Sequence, residues 1–327
     1  MKRQRGVALI TVLLVVAIVT VVSAGMIARQ QLSIRGTANQ MQARQAWHYA
    51  LGGEALAQSI LRQDLRTPGS GGGQPPVDHL LEPWALPQPA YDLDGGQGQV
   101  QVRIEDLSGR FNLNSLVQDQ QPNAAAIAQF RRLLLRLQIT EPYTERLLDW
   151  IDSDQQPTGE FGAEDNAYLL LDPPYRTAGR RMEDVSELRL LLGMRDEDFQ
   201  RLAPYVTVLP ANAPLNVNTA SAMVLSSLAD SLSPSAAEGL VKMRLSQPFR
   251  DTANFMAQPA LGGVQLQGAN IAVASQFFQV TSEVRLGDRR MALVSLLRRE
   301  DSGETRVLQR NLGQPPRLPR PTSNGDR

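Results

Sequence analysis

Carboxylates crowd one stretch of this chain. Leu148-Asp149-Trp150-Ile151-Asp152-Ser153-Asp154 is followed closely by Pro157, Gly159, Glu160, Gly162, Glu164 and Asp165. A hard divalent cation needs several oxygens around one point, and a segment broken by Pro and Gly can fold carboxylates inward to supply them. Asp152 and Asp154, two apart, open like an EF-hand loop, but no glycine or closing glutamate falls at that motif's later positions. Calcium is favoured over magnesium because such loops can offer about six to eight oxygen ligands. Spacing alone fits an acidic solvated loop equally well. A pair of catalytic carboxylates, as in glycoside hydrolysis, is disfavoured, since neighbouring acids on one loop do not oppose each other across a cleft.

Two asparagine patterns come next. Phe111-Asn112-Leu113-Asn114-Ser115-Leu116 and Pro214-Leu215-Asn216-Val217-Asn218-Thr219-Ala220 both alternate apolar residues with Asn. Asn side chains satisfy loop backbone and cap helices, which gives both patterns a structural reading. The second opens a segment resembling helix-hairpin-helix repeats, with Met243, Arg244 and Phe249 further on. Such repeats hold the DNA backbone through a Gly-rich hairpin. Residues 228–235 contain no glycine, and Asp230 would repel phosphate, so the segment reads as a protein contact or a structural unit.

Composition removes other chemistries. The chain has 327 residues, no Cys, and 33 basic against 33 acidic residues. Thiolate nucleophiles, disulfides and zinc-thiolate sites are excluded, and zero net charge argues against a nucleic-acid partner. The two histidines, His48 and His79, make a His-based metal site improbable. Between Glu141 and Asp198, fifteen acidic residues face six arginines, a field that attracts cations or basic partners. Trp150, Tyr168 and Tyr175 read as core aromatics. No Gly-rich phosphate loop or Ser-His-Asp set is visible, so the chain reads as a non-enzyme.

The elements that must carry the loop begin at the N-terminus. Met1 to Gly6 is basic, with Lys2, Arg3 and Arg5, and Val7 to Ala28 carries no formal charge. That stretch, roughly 33 Å as a helix, spans a bilayer core. The preceding cations keep the N-terminus cytoplasmic and send the body across. A cleaved secretory signal would have a shorter apolar region, of about 7–15 residues. Residues 29–66 lack Pro and keep apolar residues at helical spacing (Leu32, Met41, Trp47, Leu51, Leu56, Ile60, Leu61, Leu65), which predicts one helix running out of the membrane into a soluble body.

Residues 67–76 form a Gly/Pro-rich break. Strand alternation follows at 98–105, and three more strands are expected at 277–285, 290–298 and 305–310, joined by tight turns. Between them, helical spacing marks 124–137, 141–151, 185–192, 196–206, 220–228 and 235–245. The fold class is α+β: a pilin-like long N-terminal helix on a small antiparallel sheet, with a large helical domain inserted at 111–275. That insert, of roughly 165 residues, is large enough for its own core. The outer boundaries are 1–6 for a leader, 7–28 for the membrane part, 29–110 for the remaining helix, linker and first strand, 276–310 for the last strands, and 311–327 for a disordered tail.

These motifs together carry a resemblance. The leader Arg5-Gly6-Val7-Ala8-Leu9-Ile10-Thr11, Arg44-Gln45-Ala46-Trp47, Gly109-Arg110-Phe111-Asn112-Leu113-Asn114, Asp149-Trp150-Ile151-Asp152-Ser153-Asp154, Gly162-Ala163-Glu164-Asp165, Asp184-Val185-Ser186-Glu187-Leu188 and Pro214 to Ala220 resemble the K-type minor pseudopilins of type II secretion systems over nearly the whole chain. The resemblance implies prepilin-peptidase cleavage between Gly6 and Val7 and N-methylation of Val7. Most pilins carry Glu at the fifth mature position, where this chain has Thr11. A carboxylate there must be paired in an apolar setting, so its absence fits a subunit at a fibre end. The resemblance further implies calcium in the helical domain, with Asp152, Asp154, Glu160, Glu164 and Asp165 as the expected ligands and Asp149 on the preceding helix outside direct coordination. Implied partners are the minor pseudopilins I and J, other pseudopilins, the prepilin peptidase and the inner-membrane secretion platform. The expected place is the inner membrane, single-pass, with a periplasmic body. The alternatives are a type IV pilus-like minor pilin for DNA uptake or adhesion, with a basic face near Arg244 and Arg250, and a secreted hydrolase using the acidic loop.

Overall fold

The computed structural model describes residues 5–66, 76–93, 96, 98–266 and 268–313. The expected tail from 314 onward, most of the Gly/Pro break, and Lys2 and Arg3 lie outside the described residues. Helix α1, Arg5–Asp64, runs for 60 residues without a break. Its apolar side chains from Leu9 to Met41 are exposed, whereas Ala46, Ala50, Ala57 and Leu61 are buried. Those four positions recur at helical spacing and form one stripe. The first part is long and apolar enough to cross a membrane.

The stripe packs on a five-stranded sheet. After the two-residue β1 (Tyr91–Asp92) comes β2 (Gly98–Asp106). The chain then leaves the sheet and builds β3 (Phe111–Asn112), β4 (Val117–Gln118), β5 (Gln121–Pro122), α2 (Ala124–Arg136), α3 (Tyr143–Ile151), α4 (Asp165–Tyr168), α5 (Asp196–Leu202), β6 (Val206–Thr207), β7 (Leu215–Asn216), α6 (Ala222–Ser226), α7 (Pro234–Arg244), α8 (Thr252–Met256) and β8 (Ile271–Ala272). It returns as β9 (Phe277–Leu286), β10 (Arg289–Arg299) and β11 (Thr305–Leu312). The sheet order is β1-β2-β9-β10-β11, and every pair in it is antiparallel. In β2, Val100, Val102 and Ile104 are buried between exposed Gln101 and Arg103, the alternation of a sheet with one covered face. They join Phe278, Val280, Val284, Leu293 and Leu297 under the helix stripe. Gly53 is required there: a Cβ would sit 2.1 Å from Ser282 Oγ.

Differences from the expected elements have local causes. The expected helix at 196–206 stops at Leu202 and tightens into a 3₁₀ turn over Ala203–Tyr205. Pro204 removes a donor there, and Val206 then pairs in parallel with Phe111. The expected helix at 185–192 is a 3₁₀ turn, Val185–Leu190, opened by a reciprocal cap between Asp184 and Glu187. Asn311 and Leu312, expected in a disordered tail, pair with Val294 and Leu293. The insert, expected as one domain, holds two apolar clusters. One gathers Phe111, Phe130, Tyr143, Trp150 and Tyr168. The other gathers Val224, Leu240, Phe249 and Phe255.

Candidate metal centre and membrane anchor

Helix α3 ends inside the acidic stretch. Its apolar face, with Leu147, Leu148 and Ile151, buries into the first cluster, and this turns Asp149 inward as well. Asp149 is fully buried. One of its oxygens accepts from the Thr158 amide at 2.9 Å, and the other has no protein partner. Asp152 caps the helix C-terminus, and its Oδ1 is likewise without a partner. Glu164 opens α4, is 1% exposed, and leaves both carboxylate oxygens unpaired. One oxygen from each of Asp149, Asp152 and Glu164 lies within 4.8 Å of the others. Gly162 permits this closure, since a Cβ would stand 2.4 Å from Asp149 Oδ2 and 2.5 Å from the Thr158 nitrogen.

The electrostatics follow from burial. Loss of water pushes the Asp149 carboxyl up. Burial, with Asp154 and Asp149 adding repulsion, raises Asp152 to about 6. Burial, with the charges of Asp149 and Asp152, raises Glu164 to about 7. Among the described residues no Lys or Arg pairs with these three. Buried, converging carboxylate oxygens without donors are unstable by themselves and suited to a hard cation. The residues present therefore fit calcium.

The structure redistributes the expected ligand set. Asp152 and Glu164 are in the cluster. Asp154 is exposed and spends one oxygen on the Gln156 amide at 2.8 Å, acting on the cluster through its charge. Glu160 is exposed on the loop. Asp165 is engaged elsewhere: Arg176 donates to one oxygen at 2.8 Å, and Thr177 donates twice to the other. Burial raises the Asp165 carboxyl, but the Thr177 and Arg176 bonds outweigh it and hold it below the usual range. Asp149 differs in the opposite sense, because its last-turn position on α3 aims a free oxygen at Asp152 three residues on. That i, i+3 spacing at a helix end was the available signal.

The asparagine motifs are structural. Asn114 donates to the Met182 and Leu209 carbonyls at 3.0 and 3.1 Å and accepts from the Met182 amide at 2.8 Å. Asn218 clamps both backbone groups of Phe249 at 2.9 Å. Arg244 is 4% exposed and donates to the Val217 carbonyl at 2.6 Å, so it offers no basic face to DNA. At the other end of the molecule, the Gly6–Val7 bond lies in the first turn of α1, and Thr11 lies within the apolar run.

A membrane-length helix laid on an antiparallel sheet, with a helical insert bearing a carboxylate cluster, defines a pilin-like protein. The profile for "Type II secretion system (T2SS), protein K" matches residues 109–211 as its first domain and residues 215–274 as a second. A type II secretion system protein K from Pseudomonas aeruginosa is 51% identical, covering 99% of this chain and 97% of that one. One from Klebsiella pneumoniae is 35% identical over 95% of this chain and 97% of the relative. A chain in the crystal structure of the GspK-GspI-GspJ complex from enterotoxigenic Escherichia coli superimposes with a TM-score of 0.73 at 28% identity, covering 85% of this chain and 99% of that chain. The protein described here belongs to the type II secretion system protein K family. It is a minor pseudopilin of that system with one N-terminal apolar helix fit for single-pass anchoring.

Proposed function

We propose that this chain caps the periplasmic end of the pseudopilus in a complex with the I- and J-type minor pseudopilins, where it starts assembly and supports export of folded proteins across the outer membrane. The observation that carries the reading is the likeness to a chain of the GspK-GspI-GspJ complex, over 99% of that chain's length. Geometry supports the terminal position. The insert leaves the sheet after Asp106 at the end of β2, and Asp106 and the α1 terminus at Asp64 meet in one buried network. The insert is thus rooted at the membrane-distal end of the anchor helix, the free end of a terminal subunit in this reading. Thr11 in place of Glu adds the second support, since such a subunit lacks one carboxylate for docking into a stack.

In this reading the peptidase cuts between Gly6 and Val7, Val7 is methylated, and the body lies in the periplasm beside the inner-membrane platform. Asp149, Asp152 and Glu164 hold calcium, which supplies the positive charge that their buried oxygens lack. The test is co-expression of the full chain with I- and J-type subunits, followed by affinity capture in detergent. A stable three-subunit species, and loss of secretion on deletion of the gene, are the expected results. A chain that elutes alone while I and J still pair would refute the placement.

A further inference from the structure

A second group of carboxylates gathers where three parts of the molecule meet. Asp64 ends α1, Asp78 and Glu82 lie on the connector beyond it, and one oxygen from each falls within 4.8 Å of the others. Arg299, at the end of β10, donates to Asp64 at 3.2 Å, to Asp78, and to the Ser275 carbonyl at 3.0 Å. The second Asp78 oxygen accepts from the Ser275 amide at 2.6 Å. Asp106, at the end of β2, accepts from the Ser275 hydroxyl at 2.6 Å, from the Ser108 amide at 2.7 Å, and from the Thr219 hydroxyl. Asn216 donates to the Asp78 carbonyl at 3.0 Å. Glu82 Oε2 accepts from the Trp84 indole at 2.6 Å and from the His79 amide at 3.0 Å. Anchor helix, connector, sheet and insert are therefore tied through one buried hub.

The charges do not balance. Asp64, Asp78, Glu82 and Asp106 are four carboxylates, and all but Asp106 are at most 7% exposed. Facing them are the Arg299 guanidinium and the His79 ring, whose Nε2 is 3.8 Å from Glu82. Burial lowers the His79 pKa, so that ring is not a fixed cation. Arg298 is turned away and pairs with Glu300 on the surface. Four anions against one guanidinium in a dry volume are strongly disfavoured. Unlike the first cluster, this one leaves no carboxylate oxygen among the buried unpaired atoms, and the guanidinium fills its centre. Protons, rather than an ion, can balance it.

We propose that carboxyl protons hold this hub together, so that the joint between anchor helix, sheet and insert is tightest in acid and loosens in steps as Asp106 and then Glu82 ionise. Glu82 Oε2 takes both hydrogen bonds, and Oε1, 3.8 Å from His79 Nε2, is the oxygen that carries the proton. Burial raises Glu82 to about 8, and burial with the nearby Asp78 charge raises Asp106 to about 6. The sign follows: an acid whose folded pKa is raised gives stability that is full below its unfolded value and lost as pH rises through the folded one. The loss runs from the unfolded values of 3.8 and 4.5 up to about 6 for Asp106 and about 8 for Glu82.

The test is thermal and denaturant unfolding of the full chain in detergent, at saturating calcium, from pH 5.5 to 9. Each proton released steepens the unfolding constant by up to about tenfold per pH unit. Glu82→Gln keeps the shape and stays neutral, so its profile is expected to be flatter and to cross above the wild type near pH 8. Parallel profiles would overturn the proposal. Asp106→Asn provides the same comparison between about pH 4 and 6 should the first variant not accumulate. In a Glu164→Gln background, calcium stabilisation that disappears with Glu82→Gln would show a cation in the hub and would equally overturn it.

Discussion

Glu164→Gln separates the two energetic faces of the metal cluster. In the calcium-free protein, Glu164 has a raised pKa of about 7, against an ordinary value near 4.5. Its stabilising contribution is complete below about pH 4.5 and is lost as pH rises through about 7. The gap of about 2.5 units, at about 1.4 kcal/mol each, sets a ceiling near 3.5 kcal/mol. Coupling to Asp149 and Asp152 shares that penalty, leaving about 2 kcal/mol at pH 8. Glutamine removes the charge and supplies amide protons to the unpaired oxygens of Asp149 and Asp152. In chelator at pH 8 the variant is therefore expected to melt about 4–8 °C above the wild type, taking about 2–4 °C per kcal/mol for a body of this size. Calcium reverses the advantage. At 100-fold its dissociation constant it gives the wild type about 2.7 kcal/mol, while the variant, short of one ligand charge, gains little. Paired melts with chelator and with calcium decide the matter. A variant that melts lower in chelator, yet gains as much from calcium as the wild type, would refute the reading of this cluster as unpaired charge.

Four further outcomes are expected. Gly6→Leu should leave the leader attached, seen as a heavier, unmethylated N-terminal peptide by mass spectrometry. Asn114→Ala should cost about 2–4 kcal/mol in denaturant unfolding, because it strands the buried Met182 amide and the Met182 and Leu209 carbonyls. Gly53→Val should destabilise by about 1–3 kcal/mol, through collision with Ser282 and Val102. Gly52→Ala, with nothing within 4 Å, should be neutral or stabilising by up to about 1 kcal/mol.

The anchor helix and the sheet were legible because their periodicities are long. Val100, Val102 and Ile104 alternate, and Ala46, Ala50, Ala57 and Leu61 repeat by turns of helix, so each declares its buried side. The acidic loop was legible as a cluster of carboxylates by composition but not in its members. Sequence cannot show that Arg176 and Thr177 fold back on Asp165, or that burial of α3 turns Asp149 inward. The short parallel pairs, Phe111 with Val206 and Leu215 with Ile271, carry no period at two residues each. The hub of Asp64, Asp78, Glu82, Asp106 and Arg299 was invisible because its members are spread along the chain. Only the return of β9 alongside β2 brings them together.

That return sets an order of events during synthesis. Asp106 is in register with Phe278, so β2 must wait for the entire insert to be made before its neighbour exists. Until then the apolar stripe of α1 has no strand pair to cover it. Contacts this distant in sequence close slowly, whereas each insert cluster can collapse from nearby segments. The nascent chain thus spends its early life tethered, with a folded head forming ahead of an open neck, and the last three strands to emerge are the ones that shut it.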